Sequence, residues 1–188
     1  MAARRSHLFP KPYSDFVARL RVPMGFLMVA AFAWFSVPTV RSVWIGTACA
    51  LPGLLLRAWA AGHLRKNATL TTSGPYRFVR NPLYAGTVIV AMGLSVAAQQ
   101  FPLVALFAVV FLLVYLPAIT LEEQHLGELF PAFPHYASRV PLLLPCRRPF
   151  PADGKFSFAQ YLRNREYEAA LGFLAGVVFL VVKATVMR

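Results

Sequence analysis

Apolar residues form five long runs along the chain, and short polar or basic stretches separate them. The runs cover residues 22–40, 42–62, 83–98, 101–121 and 169–187. Because a helix needs about 20 apolar residues to cross the hydrocarbon core of a bilayer, each run is a candidate transmembrane helix. The pattern therefore predicts an all-α, polytopic membrane helix bundle with about five transmembrane helices. The turn residues from Gln99 to Pro102 predict a helical hairpin between the third and fourth runs.

Composition favours a membrane domain over a soluble one. Hydrophobic residues make up 58% of the 188 residues, charged residues only 14%, and the mean hydropathy is +0.57. An average soluble domain is about 45–50% apolar and about 25% charged. A soluble protein of this length could not bury so much apolar surface, whereas a bilayer accommodates it. We expect residues 1–188 to form one integral membrane domain.

Basic residues lie in clusters between the apolar runs, although the net charge is +12. A nucleic-acid partner would favour one continuous basic surface, so none is expected. Fifteen of the 19 basic residues lie in the N-terminal segment with Arg4 and Arg5 or in the loops 63–82 and 122–168. The positive-inside rule then predicts a multi-pass protein with a cytoplasmic N-terminus and an external C-terminus. We expect a bacterial inner membrane, although an endoplasmic reticulum protein would show the same pattern.

Cysteine and histidine spacing indicates no metal site. Cys49 and Cys146 form no CxxC pair, and the four histidines are scattered without an HExxH motif. We expect these residues to be isolated side chains rather than metal ligands.

Residues 71–86 combine turn signals, aromatic rings and the start of a helix. Gly74-Pro75 predicts a turn, and Asn81-Pro82 predicts the N-cap and first turn of the third helix. A helix N-terminus attracts anionic groups such as a carboxylate. Tyr76 and Tyr84 offer aromatic faces to an adenine or a sulfonium cation. An interfacial aromatic belt with snorkelling arginines explains the same residues equally well.

Three of the seven acidic residues sit together directly after the fourth apolar run: Glu122, Glu123 and Glu128. An acidic pair at the end of a membrane helix is costly unless it faces water or a partner. The pair indicates either a functional site or a helix that has left the membrane.

Two groups of residues resemble the signatures of a known superfamily. The first is Gly74-Pro75-Tyr76 followed by Arg80-Asn81-Pro82-Leu83-Tyr84-Ala85-Gly86, and the second is Glu122-Glu123-Gln124-His125-Leu126, then Phe130, Tyr136 and Arg139-Val140-Pro141. In this order, separated by one helical hairpin, they resemble the isoprenylcysteine carboxyl methyltransferase and phospholipid methyltransferase superfamily. The resemblance covers about residues 50–145, which would be the methyltransferase core.

The resemblance implies a membrane methyltransferase that uses S-adenosylmethionine, bound in a pocket on the cytoplasmic side. Carried over by motif position, the implied cofactor contacts are Ala68, Thr69, Leu70, Thr71, Tyr76, Asn81, Pro82, Leu83, Tyr84 and Glu122. The acceptor would be a lipid or a prenylated small molecule, methylated on an isoprenylcysteine-like carboxylate or on a phospholipid amine. An amine must lose a proton, and Glu123 is the candidate base.

The chain departs from the superfamily pattern at three positions. Asn81 stands where histidine is usual, and Pro131 where glycine is usual. Ala118 stands where isoprenylcysteine methyltransferases resemble one another in having an arginine that holds the substrate carboxylate. These departures leave the acceptor open.

Two other arginines are candidates for holding the acceptor in place of the missing one, namely Arg57 within the second apolar run and Arg139 in the second signature. Arg57 is costly at membrane depth and needs a partner. It could bind an acceptor headgroup, brace Glu122 or Glu123, or form a purely structural ion pair.

Two other functions are alternatives. Sterol reductases, which use NADPH, resemble the superfamily in part but are much longer than this chain. A non-enzymatic small membrane protein or a small transporter would leave both signatures unexplained.

The C-terminal part extends beyond the superfamily core. Residues 146–168 are basic and aromatic, and we expect them to lie on anionic membrane lipids. Residues 169–187 form the additional C-terminal transmembrane helix. Gly172 and Gly176 have the GxxxG spacing of helix pairs, which predicts a homodimer contact.

Overall fold

The computed structural model describes residues 11–186, and every regular element in this range is helical. The helices are α1 (Lys11–Phe35), α2 (Val40–His63), α3 (Pro82–Ala98), α4 (Phe101–Val110), α5 (Leu116–Leu129), α6 (Phe133–Arg139), α7 (Phe158–Arg163) and α8 (Tyr167–Val186). The predicted all-α fold is confirmed. Arg4 and Arg5, which belong to the predicted cytoplasmic N-terminal segment, lie outside the described residues.

Within residues 11–186, three helical stretches are long and apolar enough to cross a membrane: Val40–His63, Phe101–Leu129 and Tyr167–Val186. Helix α3 has 17 residues and is shorter. At 1.5 Å per residue it extends about 26 Å, slightly less than the ~30 Å hydrocarbon core. Helix α1 has 25 residues and includes Arg19 and Arg21. Each of the five predicted runs therefore lies mainly in a helical stretch, although the first run, 22–40, extends past the end of α1 at Phe35. Three of the stretches meet the length and composition expected of a span.

Hydrogen bonds between helices distinguish the two ends of the bundle. At one end, the Val37 N–H donates to the Ala98 carbonyl at 2.9 Å. The Lys183 ammonium donates to the last carbonyls of α1 at the same end. The segments 74–86 and 122–141, which contain the two signatures, lie at the other end. The chain thus brings both signatures to one end of the bundle.

Helices α2 and α3 form the most extensive helix contact in the described part of the chain. Gly46 lies against Gly93, and Gly53 lies against Gly86. A Cβ atom added to Gly53 would be 2.6 Å from the Gly86 carbonyl oxygen, so the two backbones touch. Small residues allow this approach, and in lipid such van der Waals contact replaces the hydrophobic effect as a driving force. The two glycines of α2 are seven residues apart, and so are the two glycines of α3. Seven residues make about two helical turns, so each helix presents both of its glycines on one face.

The fourth apolar run forms one continuous helical stretch with a wider turn in its middle. Phe111–Tyr115 is a π-helical turn that joins α4 to α5, and Pro117 follows it. Because proline has no N–H, the carbonyl of Leu113 lacks its usual donor four residues further on. The Tyr13 hydroxyl donates to this carbonyl at 2.7 Å. Helix α1 therefore supplies the hydrogen bond that the α5 backbone cannot make.

The first testable prediction concerns the glycine contact. We expect Gly93→Ala to destabilise the protein, because its Cβ would lie 2.5 Å from the Gly46 carbonyl oxygen. Overpacking of this kind costs about 1–3 kcal/mol, and each kcal/mol lowers the melting temperature by about 2–4 °C at this chain length. The measurement is the thermal unfolding of the purified protein in detergent, followed by circular dichroism.

The matched control is Gly172→Ala on α8, where no atom lies within 4 Å of an added Cβ. It should keep or slightly raise the melting temperature, because alanine favours helices over glycine. Equal melting temperatures for the two variants would contradict the glycine contact. The open space around Gly172 and Gly176 leaves the homodimer contact a prediction.

Candidate functional site

Backbone hydrogen bonds join the two signature segments. The Arg80 N–H donates to the Pro141 carbonyl at 2.9 Å, and the Asn81 N–H donates to the Leu142 carbonyl at 3.2 Å. Further along, the Phe150 N–H donates to the Arg77 carbonyl at 2.9 Å. Residues that are about 60 positions apart in the chain are thus held side by side at the N-terminal end of α3.

Two tyrosines, one from each signature, strengthen this junction. The Tyr136 hydroxyl donates to the Tyr76 carbonyl at 2.7 Å, and both side chains are buried. Burial raises the pKa of both phenols, so both stay protonated at neutral pH and Tyr136 remains a donor. Phe133 and Val140 pack with Tyr136 in a small hydrophobic core at this end of the bundle. The signature residue Tyr136 therefore has a structural role in holding the loop that contains Tyr76.

The acidic pair at the end of α5 divides between two clusters. Glu122 accepts from the Arg21 guanidinium at 2.5 Å and from the Tyr84 hydroxyl at 3.1 Å. Arg21 also donates to the Tyr84 hydroxyl at 2.8 Å. The three side chains come from α5, α1 and α3, so this cluster ties three helices together. Arg21, one of the basic residues of the N-terminal segment and not among the residues that the sequence predicts for the site, is a member of this cluster.

Glu123 forms the second cluster with residues of the first signature. Its carboxylate lies 3.0 Å from Arg80 Nε and accepts from Asn81 Nδ2 at 3.1 Å. The side chains of Arg80 and Glu123 are each only 17% exposed, so the ion pair is largely removed from water. Asn81 precedes α3 as predicted, but its side chain makes no capping hydrogen bond and binds Glu123 instead.

A polar cavity of about 260 Å³ lies beside the first signature. The residues that line it are Gly62, His63, Arg65, Thr69, Leu70, Thr71, Thr72, Ser73, Asp153, Gly154, Lys155, Ser157 and Gln160. Three predicted cofactor contacts, Thr69, Leu70 and Thr71, are among them. Ala68 lines a neighbouring cavity instead. The other predicted contacts line neither of the two cavities: Tyr76, Asn81, Pro82, Leu83, Tyr84 and Glu122.

His63 and Ser73 form the back of this polar cavity. His63 Nδ1 lies 3.0 Å from Ser73 Oγ. Gly74 has φ +60°, and a Cβ there would lie 2.5 Å from the His63 ring, so glycine is required for both its backbone and its size. The scattered spacing of the histidines predicts an isolated side chain at His63, whereas the structure pairs it with Ser73. Its place directly after an apolar run, in the segment that leads to the first signature, is the signal that could have revealed it.

The chain after the second signature covers the polar cavity. The Ser157 N–H donates to the Gly62 carbonyl at 3.0 Å, and Gly154 lies against Ser73. The Phe156 ring contacts the His63 ring edge-on, with 6.3 Å between the ring centres. Asp153 and Lys155 reach the cavity from this segment. No local pattern could have linked these residues to the cavity, because about 80 residues separate them from Thr71.

Arg57 does not brace Glu122 or Glu123, which corrects one of the expected roles. Its Nε donates to Glu166 at 2.6 Å, and one terminal nitrogen donates to Thr87 Oγ1 at 2.5 Å. The side chains of Arg57 and Glu166 are 22% and 11% exposed, respectively. The reason is that the chain returns to the bundle just before α8 and places Glu166 within reach of α2, whereas Arg21 and Arg80 satisfy the α5 acids.

Arg139, the other arginine proposed for the acceptor, lies at the last turn of α6 with an exposed side chain. Arg80, rather than Arg139, is the arginine of the second cluster. Ala118, at the position of the missing arginine, is buried in α5. Arg139 lines neither of the two cavities and belongs to neither of the two clusters.

A family model described as phospholipid methyltransferase matches residues 20–132, which is more than half of the chain. The chain belongs to the phospholipid methyltransferase family. The matched range contains the first signature, the polar-cavity threonines and the acidic pair Glu122 and Glu123. The resemblance that the two signatures indicated is confirmed. Tyr136 and Glu166 lie beyond the matched range.

Three curated relatives are similar to this family member. The cobalt-zinc-cadmium resistance protein CzcN of Cupriavidus metallidurans is 38% identical over 91 residues, which cover 47% of this chain and 42% of CzcN. The nickel-cobalt-cadmium resistance protein NccN of Alcaligenes xylosoxydans xylosoxydans is 30% identical over 152 residues, covering 72% and 70%. Phosphatidylethanolamine N-methyltransferase B of Dictyostelium discoideum is 31% identical over 110 residues, covering 50% and 52%.

The chain therefore spans less than half of CzcN and about half of the Dictyostelium enzyme. No solved structure matches the chain. Membership of the phospholipid methyltransferase family and the long apolar helices support an integral membrane protein.

The second testable prediction concerns the ion pair that joins α2 to the C-terminal part. We expect Glu166→Gln to destabilise the protein, because it leaves the largely buried Arg57 without a counter-charge. The cost should be roughly 2–3 kcal/mol, less than for a completely buried pair. The double variant Arg57→Met/Glu166→Met should recover part of this loss. Thermal unfolding in detergent measures both.

Glu168→Gln is the matched control, since Glu168 lies two residues away and pairs with the exposed Arg165. Its melting temperature should equal that of the wild type. If Glu166→Gln behaved like this control, the ion pair with Arg57 would not hold α8 to the bundle.

Proposed function

We propose that the protein transfers a methyl group from S-adenosylmethionine to a lipophilic acceptor at the membrane surface. The observation that carries the proposal is the junction of the two signature segments at one end of the bundle, beside the polar cavity. Family membership supports the same reaction class. The distribution of basic residues favours the cytoplasmic face of a bacterial inner membrane, with the N-terminus in the cytoplasm.

The residues around the polar cavity are suited to the polar parts of S-adenosylmethionine. Its amino-acid end has one carboxylate and one ammonium group, and Lys155 and Asp153 carry the complementary charges. The hydroxyls of Thr69 and Thr71 offer further hydrogen bonds. The remaining proposed contacts lie around the N-terminal end of α3, at the same end of the bundle as the polar cavity. They are Tyr76, Asn81, Pro82, Leu83, Tyr84 and Glu122.

S-adenosylmethionine supplies an electrophilic methyl group on a sulfonium. The protein has to align the acceptor with that group and keep water away, which requires a rigid frame. The backbone hydrogen bonds between the two signatures and the glycine contact of α2 with α3 provide that frame. The Tyr84 hydroxyl and Glu122 carboxylate, both held by Arg21, are positioned for a cationic or hydroxyl-bearing ligand.

We propose a phospholipid amine, rather than a carboxylate, as the acceptor. The arginine that would hold a carboxylate is replaced by the buried Ala118, and Arg57 is neutralised by Glu166. An amine acceptor needs a base, and Glu123 is the proposed base at the end of α5. The name of the Dictyostelium relative, a phosphatidylethanolamine N-methyltransferase, agrees with this class of acceptor.

A second candidate function, a part in metal resistance, comes from the names of CzcN and NccN. Residues 11–186 contain no group of three or more His, Cys, Asp or Glu side chains that could hold a metal ion. A role in resistance would therefore act through methylation of a membrane component. Deleting the gene and scoring growth on cobalt and cadmium salts, with Glu123→Gln as the complementing variant, tests this link.

The third testable prediction is that the purified protein binds S-adenosylhomocysteine and not NADPH, measured by isothermal titration calorimetry. Thr71→Val removes a hydroxyl of the polar cavity, and Glu122→Gln removes the charge beside Tyr84. We expect Glu122→Gln to weaken binding by about tenfold or more, because hydrogen bonds to charged groups contribute about 1.5–3 kcal/mol. Thr71→Val should weaken binding by a few-fold, as expected for a neutral hydrogen bond.

Glu128→Gln is the control, since Glu128 is an exposed acid on the same helix. It should bind S-adenosylhomocysteine like the wild type. Binding of NADPH alone would assign the protein to the reductases. Binding of neither compound would favour a non-enzymatic membrane protein and reject the methyltransferase proposal.

A further inference from the structure

The carbonyl groups at the C-terminal end of α2 are bound by the chain around α7. The Ser157 N–H, just before α7 begins, donates to the Gly62 carbonyl at 3.0 Å. The Asn164 side chain, just after α7 ends, donates to the carbonyls of Ala61 and Leu64 at 2.8 and 2.9 Å. The last carbonyls of a helix have no donor within the helix, so they need partners from elsewhere. The C-terminal part of the chain therefore caps α2.

Asn164 is itself fixed on both sides. Its backbone N–H donates to the Gln160 carbonyl at 2.9 Å, which closes the last turn of α7. Two residues further along, Glu166 pairs with Arg57 of α2. An amide nitrogen carries two hydrogens, enough for both carbonyls, whereas the amide oxygen can donate none. The two acceptors on α2 and in the loop after it therefore determine the orientation of the Asn164 amide.

The Leu64 carbonyl belongs to the same peptide unit as the Arg65 N–H. A peptide unit is planar and rigid, so a hydrogen bond to its carbonyl also fixes the direction of its N–H. The Arg65 N–H donates to Thr71 Oγ1 at 3.3 Å. Thr71 lines the polar cavity, and Asn164 does not. One peptide unit therefore connects Asn164 to a side chain in the wall of that cavity.

This connection determines which hydrogen bond Thr71 offers to a ligand. A hydroxyl group has one hydrogen and two acceptor lone pairs. Because Thr71 Oγ1 accepts from the Arg65 N–H, one lone pair is used and the hydrogen is left for another acceptor. In the described part of the chain, no carbonyl or carboxylate accepts this hydrogen. The Thr71 hydroxyl is therefore held as a donor to an oxygen atom inside the cavity.

We propose that Asn164 is a positioning residue of the cofactor site, which holds the Thr71 hydroxyl as a donor to a carboxylate or ribose oxygen of S-adenosylmethionine. This inference rests on the proposed function, because it takes the polar cavity as the cofactor site. Asn164 acts through the Leu64–Arg65 peptide and does not touch the ligand. It lies beyond residues 20–132, so the family match gives it no role.

The fourth testable prediction uses isothermal titration calorimetry of the full-length protein in detergent with S-adenosylhomocysteine. Asn164→Asp keeps the shape of the side chain but removes both donor hydrogens. We expect it to weaken binding about fivefold, as Thr71→Val does, because in both variants the ligand loses one neutral hydrogen bond. The double variant Thr71→Val/Asn164→Asp should bind like Thr71→Val alone, because Asn164 acts through Thr71.

The matched control is Asn67→Asp, which makes the same change of charge at an exposed position of the loop after α2. It should bind S-adenosylhomocysteine like the wild type. A purely structural role of Asn164 would lower the binding stoichiometry, through loss of folded protein, and leave the dissociation constant unchanged. Asn164→Ser keeps one donor and adds no charge, and its dissociation constant should lie between those of the wild type and Asn164→Asp.

Two outcomes would overturn the positioning role of Asn164. One is a dissociation constant for Asn164→Asp and Asn164→Ser equal to that of Asn67→Asp. The other is a double variant that loses the product of the two single factors, about 25-fold, because independent sites add their free energies. A wild type that does not bind S-adenosylhomocysteine would instead reject the proposed function itself, so the two failures are distinguishable.

Discussion

The backbone contact between α2 and α3 is the constraint on which the site depends. Four glycines remove the side chains that would keep these helices apart, so the axes approach until carbonyl oxygens meet Cα atoms. The N-terminal end of α3 is thereby fixed beside the C-terminal half of α2. From this end, Asn81 and Tyr84 reach the acids of α5. A wider separation would displace both clusters at once, because each takes a side chain from the start of α3 or from the residue before it.

Opposite charges are then distributed so that each acid of the site has its own arginine. Arg21 serves Glu122, Arg80 serves Glu123, and a third pair joins α2 to the residues before α8. The pairs of Arg57 and Arg80 are largely buried, where an unpaired charge is costly, so these two pairs favour the observed neighbours of α2 and α5. This distribution of charges also leaves little freely available positive charge inside the bundle, which is the main reason for preferring an amine over an anionic acceptor.

The helices and the meeting of the two signatures were predictable, whereas the partners of individual charges were not. Apolar runs report helix positions directly, and Gly74-Pro75 and Asn81-Pro82 marked a turn and a helix start at the observed places. The pairing of Arg57 with Glu166 joins residues 109 positions apart and depends on the packing of the whole bundle. The contact of His63 with Ser73 was not predictable either, because the sequence does not give the path of the loop between them. As a result, some predicted cofactor contacts, such as Thr69 and Thr71, line the polar cavity, whereas others, such as Asn81, lie at the N-terminal end of α3.

The ion pair between Arg57 and Glu166 also has a consequence for biogenesis. Arg57 enters the membrane with α2 early in synthesis, when its acidic partner, 109 residues later in the chain, has not yet been made. Inserting an arginine at the centre of a span costs about 2.5–3.5 kcal/mol on translocon-based scales, whereas Arg57 lies six residues before the end of α2. The nascent α2–α3 hairpin must therefore keep Arg57 near the interface, with Thr87 and the Leu83 carbonyl as its first ligands. Completion of the C-terminal segment then acts as the final step of assembly, and a chain that ends early exposes an uncompensated cation to quality control.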